Sequence, residues 1–237
     1  MLPRTRPKPF LDDARRDWQF DTFVWLLRNG GGYPKFESTT LVLPVTAHFP
    51  DSDLRGNAAA TALFRRVRDH AGMADWPCTV EPSTLAPRLA TSAGIPVIRY
   101  EPAEDEALSL VPDFARSLAG FFVETFAEPP PGGEALLGPA IDLATVFMGF
   151  GVFLANSAFE TANYDLNEDE VVHALAIFCL LRKIDPEAVE PHLNPHLRKY
   201  LRLAARDLMQ YGGRFQQMRS VFALLSFDMS ALPPLAG

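Results

Sequence analysis

At 237 residues the chain is long enough to bury a substantial core, as one large domain or two small ones. Hydrophobic residues make up 48% and charged residues 22%, a globular balance. The formal net charge of −7 argues against nucleic acid as a main partner, because such a partner calls for a basic face. The opening decapeptide, MLPRTRPKPF, is basic, and no apolar stretch of signal-peptide type follows it. Residues 1–10 therefore read as a short, poorly ordered arm. Leu11 to Arg28 reads as an amphipathic helix, with Trp18, Val24, Trp25 and Leu26 among the charges of DDARRD. Asn29 to Pro34, NGGGYP, is a strong turn signal. Thr39 to Pro44, TTLVLP, is short, apolar and bounded by proline, which predicts a strand. HFPDSDLRGN reads as a loop, and Asn57 to Ala71 as a helix with Leu63, Phe64 and Val67 on one face. Cys78 to Glu81 and Pro96 to Glu101 read as two further short strands.

From Asp105 the pattern turns helical, over Glu106 to Phe126, Ala140 to Phe159, Asn167 to Arg182, Pro195 to Gln210 and Gly213 to Phe227. EPPPGGE forms a stiff and then flexible loop after Phe126. The expected fold is α+β: a small N-terminal sheet with helices, followed by a mostly helical C-terminal half, in a single domain over 1–237. Only two cysteines occur, Cys78 and Cys179, so a disulfide framework is not expected and a reducing cytoplasm fits.

The most apolar stretch, AIDLATVFMGFGVFLANSAF, opens with a carboxylate, Asp142, and closes with an amide, Asn156, and Glu160 follows it. The uncharged run Leu143 to Ala155 would span roughly 20 Å as a helix, against a hydrocarbon core of about 30 Å. It therefore reads as a buried helix of a soluble protein and not as a membrane span.

Chemical motifs are sparse. Glu170-Val-Val-His173 has the Glu-x-x-His spacing of carboxylate-bridged di-iron bundles, but no other histidine has a glutamate three positions before it. It reads instead as the acidic first turn of a helix capped at Asn167. His192 and His196 have a metal-ligand spacing, yet Asn194-Pro195 between them marks a new helix start. His48 and His70 read as isolated. NGGGY lacks the strand and helix order of a phosphate cradle, and no G-x-S-x-G occurs.

Taken together, Leu110 to Phe159 resembles a family of uncharacterised bacterial proteins with a zincin-type metallopeptidase core. In that family a helix of the form AHELAH is followed by a PPGG-like loop and an apolar helix similar to TDL-x-x-VF-x-GFG-x-F-x-AN. Asp142-Leu143, Val146-Phe147, Gly149-Phe150-Gly151, Phe153 and Ala155-Asn156 match the second helix, and Pro130 to Gly133 the loop. Leu41 to Pro44 and His48 to Asp51 resemble the family's N-terminal part.

The AHELAH segment corresponds to Ala115 to Gly120, and there this chain departs. Two histidines four apart bind zinc from one helical face, and the glutamate activates the metal-bound water. Here Arg116, Ser117 and Gly120 occupy the first-ligand, base and second-ligand positions. Arginine offers no lone pair, and glycine has no side chain. Asp142 occupies the third-ligand position. The resemblance thus implies a former metal site at Arg116, Ser117, Gly120 and Asp142, with no catalytic residue, metal or cofactor retained. It implies an inactive zincin-like protein that binds an unknown protein or small-molecule partner. The alternatives are a hydrolase with a relocated metal around His173, Glu124 or Glu134, and a purely structural interaction protein. A carboxylate that has lost its metal must protonate, find water or gain a cation, and Arg116 and Asp142 are expected to form a direct or water-bridged ion pair, with Gly120 leaving room for the arginine.

Overall fold

The computed structural model describes residues 9–50, 55–83, 96–101, 107–158 and 164–223. Helix α1, Asp13–Asn29, starts where the Asp12 side chain accepts from the Arg15 amide, and it buries Phe20, Phe23, Leu26 and Leu27 on one face. The glycine turn that follows is shorter than the sequence suggests. Gly31, at φ +103°, leads straight into α2, Gly32–Phe36, because Tyr33 and Phe36 are drawn into the core. Helix α3, Gly56–His70, buries Leu63, Phe64 and Val67, as its periodicity predicts. Of the decapeptide expected to be a loose arm, residues 1–8 lie outside the described part. Phe10 is anchored: its amide donates to the Asp207 carboxylate and its ring stacks on His173.

The sheet has two strands among the described residues. β1, Thr79–Pro82, pairs in parallel with β2, Val97–Tyr100, in the register Thr79 to Val97. The third expected strand, Thr39 to Pro44, joins no sheet among the described residues. Its backbone finds other partners. Arg182 Nε donates to the Thr39 carbonyl, Val42 N–H donates to the Gly149 carbonyl, and Leu43 N–H donates to His48 Nδ1. Leu41 and Val42 are apolar because they bury against the helical core, and a ladder is not required to satisfy them.

The remainder is helical: α4, Val111–Glu124; α5, Leu137–Thr145; α6, Gly151–Ser157; α7, Glu168–Arg182; α8, Pro186–Val189; α9, Pro195–Leu208; and α10, Gly212–Arg219. A wide π-type turn over Val146–Phe150 joins α5 to α6. The last helix is shorter than the expected Gly213 to Phe227. The chain leaves it at Ser220, and the Val221 carbonyl accepts from Tyr33 N–H; residues beyond 223 lie outside the described part. Helix α7 opens with a reciprocal cap: Asn167 accepts from the Glu170 amide, and Glu170 accepts from the Asn167 amide. Every residue from Val171 to Cys179 is buried, with α9, α6 and the π-type turn packed along it. Helix α5 lies between α4 and α1. Cys78 and Cys179 are both buried free thiols, and burial pushes Cys179 up to about 12.

The helical run Glu134–Ser157 is long and apolar enough to cross a membrane by composition, with a hydropathy of 1.7, but 72% of that window is buried inside the protein. Asn156, which closes it, donates to the His192 carbonyl and accepts from the Asn194 amide, so the amide ties this run to the start of α9.

Candidate functional site

Helix α4 turns Val111, Phe114, Ala115, Leu118, Ala119 and Phe122 inward. Arg116, Ser117 and Gly120 therefore fall on its partly exposed edge, with Arg116 and Gly120 toward α5. Asp142 is one turn into α5 and fully buried. Arg116 crosses to it, and its Nε donates to Asp142 Oδ1 at 2.6 Å. The expected ion pair is present. Oδ2 of the same carboxylate accepts from the amides of Asp165, at 2.7 Å, and Leu166, at 3.0 Å. Arg116 Nη2 also donates to Asp165 Oδ2 at 2.7 Å. Burial outweighs the downward pull of Arg116 and the two amides, so the Asp142 carboxyl is held above its ordinary value. Burial likewise works against the Arg116 charge, but the bonds to Asp142 outweigh it and the guanidinium is held more basic than usual. With three donors on one carboxylate and nothing for a proton to donate to, we assign Asp142 as an anion at neutral pH.

No family model, curated protein or solved structure matches this chain.

Ser117 and Gly120 do not join the pair. Ser117 Oγ donates to the Asp113 carbonyl on its own helix. Gly120 is not required to make room for Arg116, because a Cβ there would meet only the Ile141 methyl, at an ordinary 3.9 Å. The glycine that does make room is Gly138, where a Cβ would strike the Asp165 carboxylate. Asp165 is thus the member of the site that sequence reasoning missed. Its only signal is a position two residues before the Asn167 cap.

The other candidates resolve separately. His173 is buried, with Nδ1 at 2.8 Å from Gln19 Oε1, and its Nε2 has no partner among the described residues. Glu124 and Glu134 are exposed and do not approach it as a metal-binding group. His192 lies in a separate 3-10 turn, whereas His196 Nε2 is 2.7 Å from Glu168 Oε1. His48 and His70 are not isolated: their rings lie 5.2 Å apart, and His70 Nε2 is 3.2 Å from the His48 carbonyl. Among the described residues, no three His, Cys, Asp or Glu side chains are grouped to hold a metal ion.

His173 carries a testable consequence. Burial, helped by the positive charge of Arg16, lowers it to about 3 from an ordinary value of 6.5. As pH falls below about 6.5 the unfolded chain takes up this proton and the folded protein does not, so stability is lost down to about pH 3. The slope from this group is roughly 1.4 kcal/mol per pH unit in mid-window. Urea unfolding at pH 7, 5.5 and 4.5 should show this decline, and His173→Phe should flatten it.

Proposed function

We propose that the protein is a catalytically inactive relative of zincin-type metallopeptidases, in which an arginine–aspartate pair stands where a metal ion once did, and that it acts by binding a partner or small ligand. The observation that carries this reading is the 2.6 Å contact between Arg116 Nε and Asp142 Oδ1. The resemblance assigns these two positions to the first and third metal ligands. Ligands of one ion lie within a few ångströms of one another, so a cation at one of them reaches the carboxylate at the other. The second feature in keeping with it is the way Asp142 is held. Two backbone amides fix one oxygen and leave the other for a cation, as orienting bonds do around metal ligands.

The residues present do not fit zinc. Arg116 and Gly120 offer no ligand atom, and the Ser117 hydroxyl is turned to its own helix. No step through a metal is therefore derived. Nothing in the described residues favours a relocated metal at His173, Glu124 or Glu134. The test is the metal content of the full chain purified without chelator or affinity tag. Substoichiometric zinc and iron are expected, and about one tightly held equivalent would overturn the reading. A soluble, cytoplasmic location belongs to the same proposal.

A further inference from the structure

Helix α9 packs one face on α7, burying Leu197, Leu201, Ala204, Ala205 and Leu208. Its opposite face is exposed. Lys199, Leu203 and Arg206 follow one another there at helical spacing, with Arg202 and Met209 alongside. Two large apolar side chains are thus left in water: Leu203 is 40% exposed and Met209 65%. Among the described residues, the side chains of Lys199 and Arg206 make no ion pair or hydrogen bond, whereas Arg202 is held by Glu190.

The charge of this face runs against that of the chain. The protein carries a net −7, yet the exposed residues of α9 include no acid. The one acid in the helix, Asp207, is half-buried and engaged, accepting from the Phe10 amide and from Gln210 Nε2. Through Phe10, whose ring also lies edge-on to Tyr200, the N-terminal decapeptide joins this helix. Arg4, Arg6 and Lys8 precede Phe10, and no acid occurs among residues 1–10. The covalent chain therefore tethers further positive charge to α9.

Three kinds of macromolecule take up a basic face. A nucleic acid would engage the cations through its phosphates and leave Leu203 and Met209 in water. A protein partner draws most of its affinity from anchors seated in pockets, and no residue of α9 lines either the cavity between α2, α3 and α4 or the one between α1 and α10. An anionic lipid surface needs no pocket. It takes ammonium and guanidinium groups at its phosphates and apolar side chains just beneath them.

We propose that the exposed face of α9 docks reversibly on an anionic phospholipid surface, with Lys199 and Arg206 at the phosphates and Leu203 and Met209 reaching into the headgroup boundary. This goes beyond the binding-protein reading and shares no residue with the Arg116–Asp142 pair. The test is co-sedimentation of the full chain with vesicles of phosphatidylcholine alone and of an equal mixture of phosphatidylcholine and phosphatidylglycerol. Partition into the mixed vesicles should be at least about tenfold stronger, since each basic residue near such a surface is worth roughly fivefold. Raising the salt from about 0.05 M to about 0.5 M should release most of it. Lys199→Glu and Arg206→Glu should each weaken partition by about fivefold or more, whereas Arg65→Glu, equally exposed but on α3, should weaken it by no more than about twofold. Leu203→Ser/Met209→Ser should weaken it by about threefold and keep the preference for anionic lipid. All these positions are exposed, so the unfolding temperatures should stay near that of the parent. No partition into the mixed vesicles, equal partition into neutral ones, or a loss at Arg65 matching that at Arg206 would overturn the proposal. Binding of poly-L-glutamate without vesicle binding would give the face to an acidic protein and overturn it as well. None of these outcomes bears on the metal content of the protein, which tests the preceding reading.

Discussion

Asp142→Leu should cost about 3–5 kcal/mol in unfolding free energy, because it strips a fully buried carboxylate from Arg116 and leaves the Asp165 and Leu166 amides without their acceptor. Arg116→Leu should cost less, about 2–3 kcal/mol. The carboxylate keeps its two amides, and the space vacated by a side chain that is 29% exposed is open to water. The double replacement should recover part of the loss, giving a coupling energy of about 1–2 kcal/mol by a double-mutant cycle in urea. Strictly additive effects would show that the two charges are neighbours without an energetic bond. Asp165→Ala should cost less than either single change, since that carboxylate is 47% exposed and its bond to Arg116 Nη2 competes with water.

The second large effect is expected at Gly149. Its φ of +99° disfavours any side chain, and a Cβ would strike the Thr40 carbonyl oxygen, which is backbone and cannot swing aside. Gly149→Ala should therefore cost about 3 kcal/mol or more, combining backbone strain with overpacking. It should also weaken the Val42 N–H bond that holds the 39–43 segment on the turn. Gly151→Ala, two residues on, is the control. Its Cβ would meet the Leu175 and Val146 side-chain methyls at 3.0 Å, which can yield, so about 1–2 kcal/mol is expected. Urea and thermal unfolding of both variants measure the difference. Equal costs would mean that the close approach of Thr40 is not what requires glycine at position 149.

These two sites show what sequence can carry and what it cannot. The helices were legible where apolar residues recur at 3.6 and a cap is local, as in α7 with its Asn167–Glu170 exchange. Thr39 to Pro44 was misread because strand pairing depends on a partner that the segment itself does not specify. Its apolar residues are equally explained by burial against a helix. The His48–His70 contact joins residues 22 apart, and no local pattern announces it. Asp165 reaches Arg116 across 49 positions of chain, and the room for it is made by Gly138, which lies before the helix expected from Ala140. The Arg116–Asp142 contact was anticipated only because the resemblance aligned two helices 26 residues apart. The contact is a property of the fold, and the lost metal is the proposal that explains it. His173 lies in the buried middle of α7, and Gln19 supplies its polar partner from α1.

The most direct test of that explanation is to rebuild the ligands. A Cβ at Gly120 would meet only the Ile141 methyl, at an ordinary 3.9 Å, and Arg116 already points its side chain at Asp142, so Arg116→His/Ser117→Glu/Gly120→His places two imidazoles four apart on the face that meets the carboxylate. Zinc titration of this triple variant by calorimetry, with circular dichroism confirming its fold, should give one equivalent, and adding Asp142→Ala should abolish or greatly weaken that binding. A folded triple variant that takes up no stoichiometric zinc, or one that binds it equally well without Asp142, would contradict the descent of this site from a metal centre.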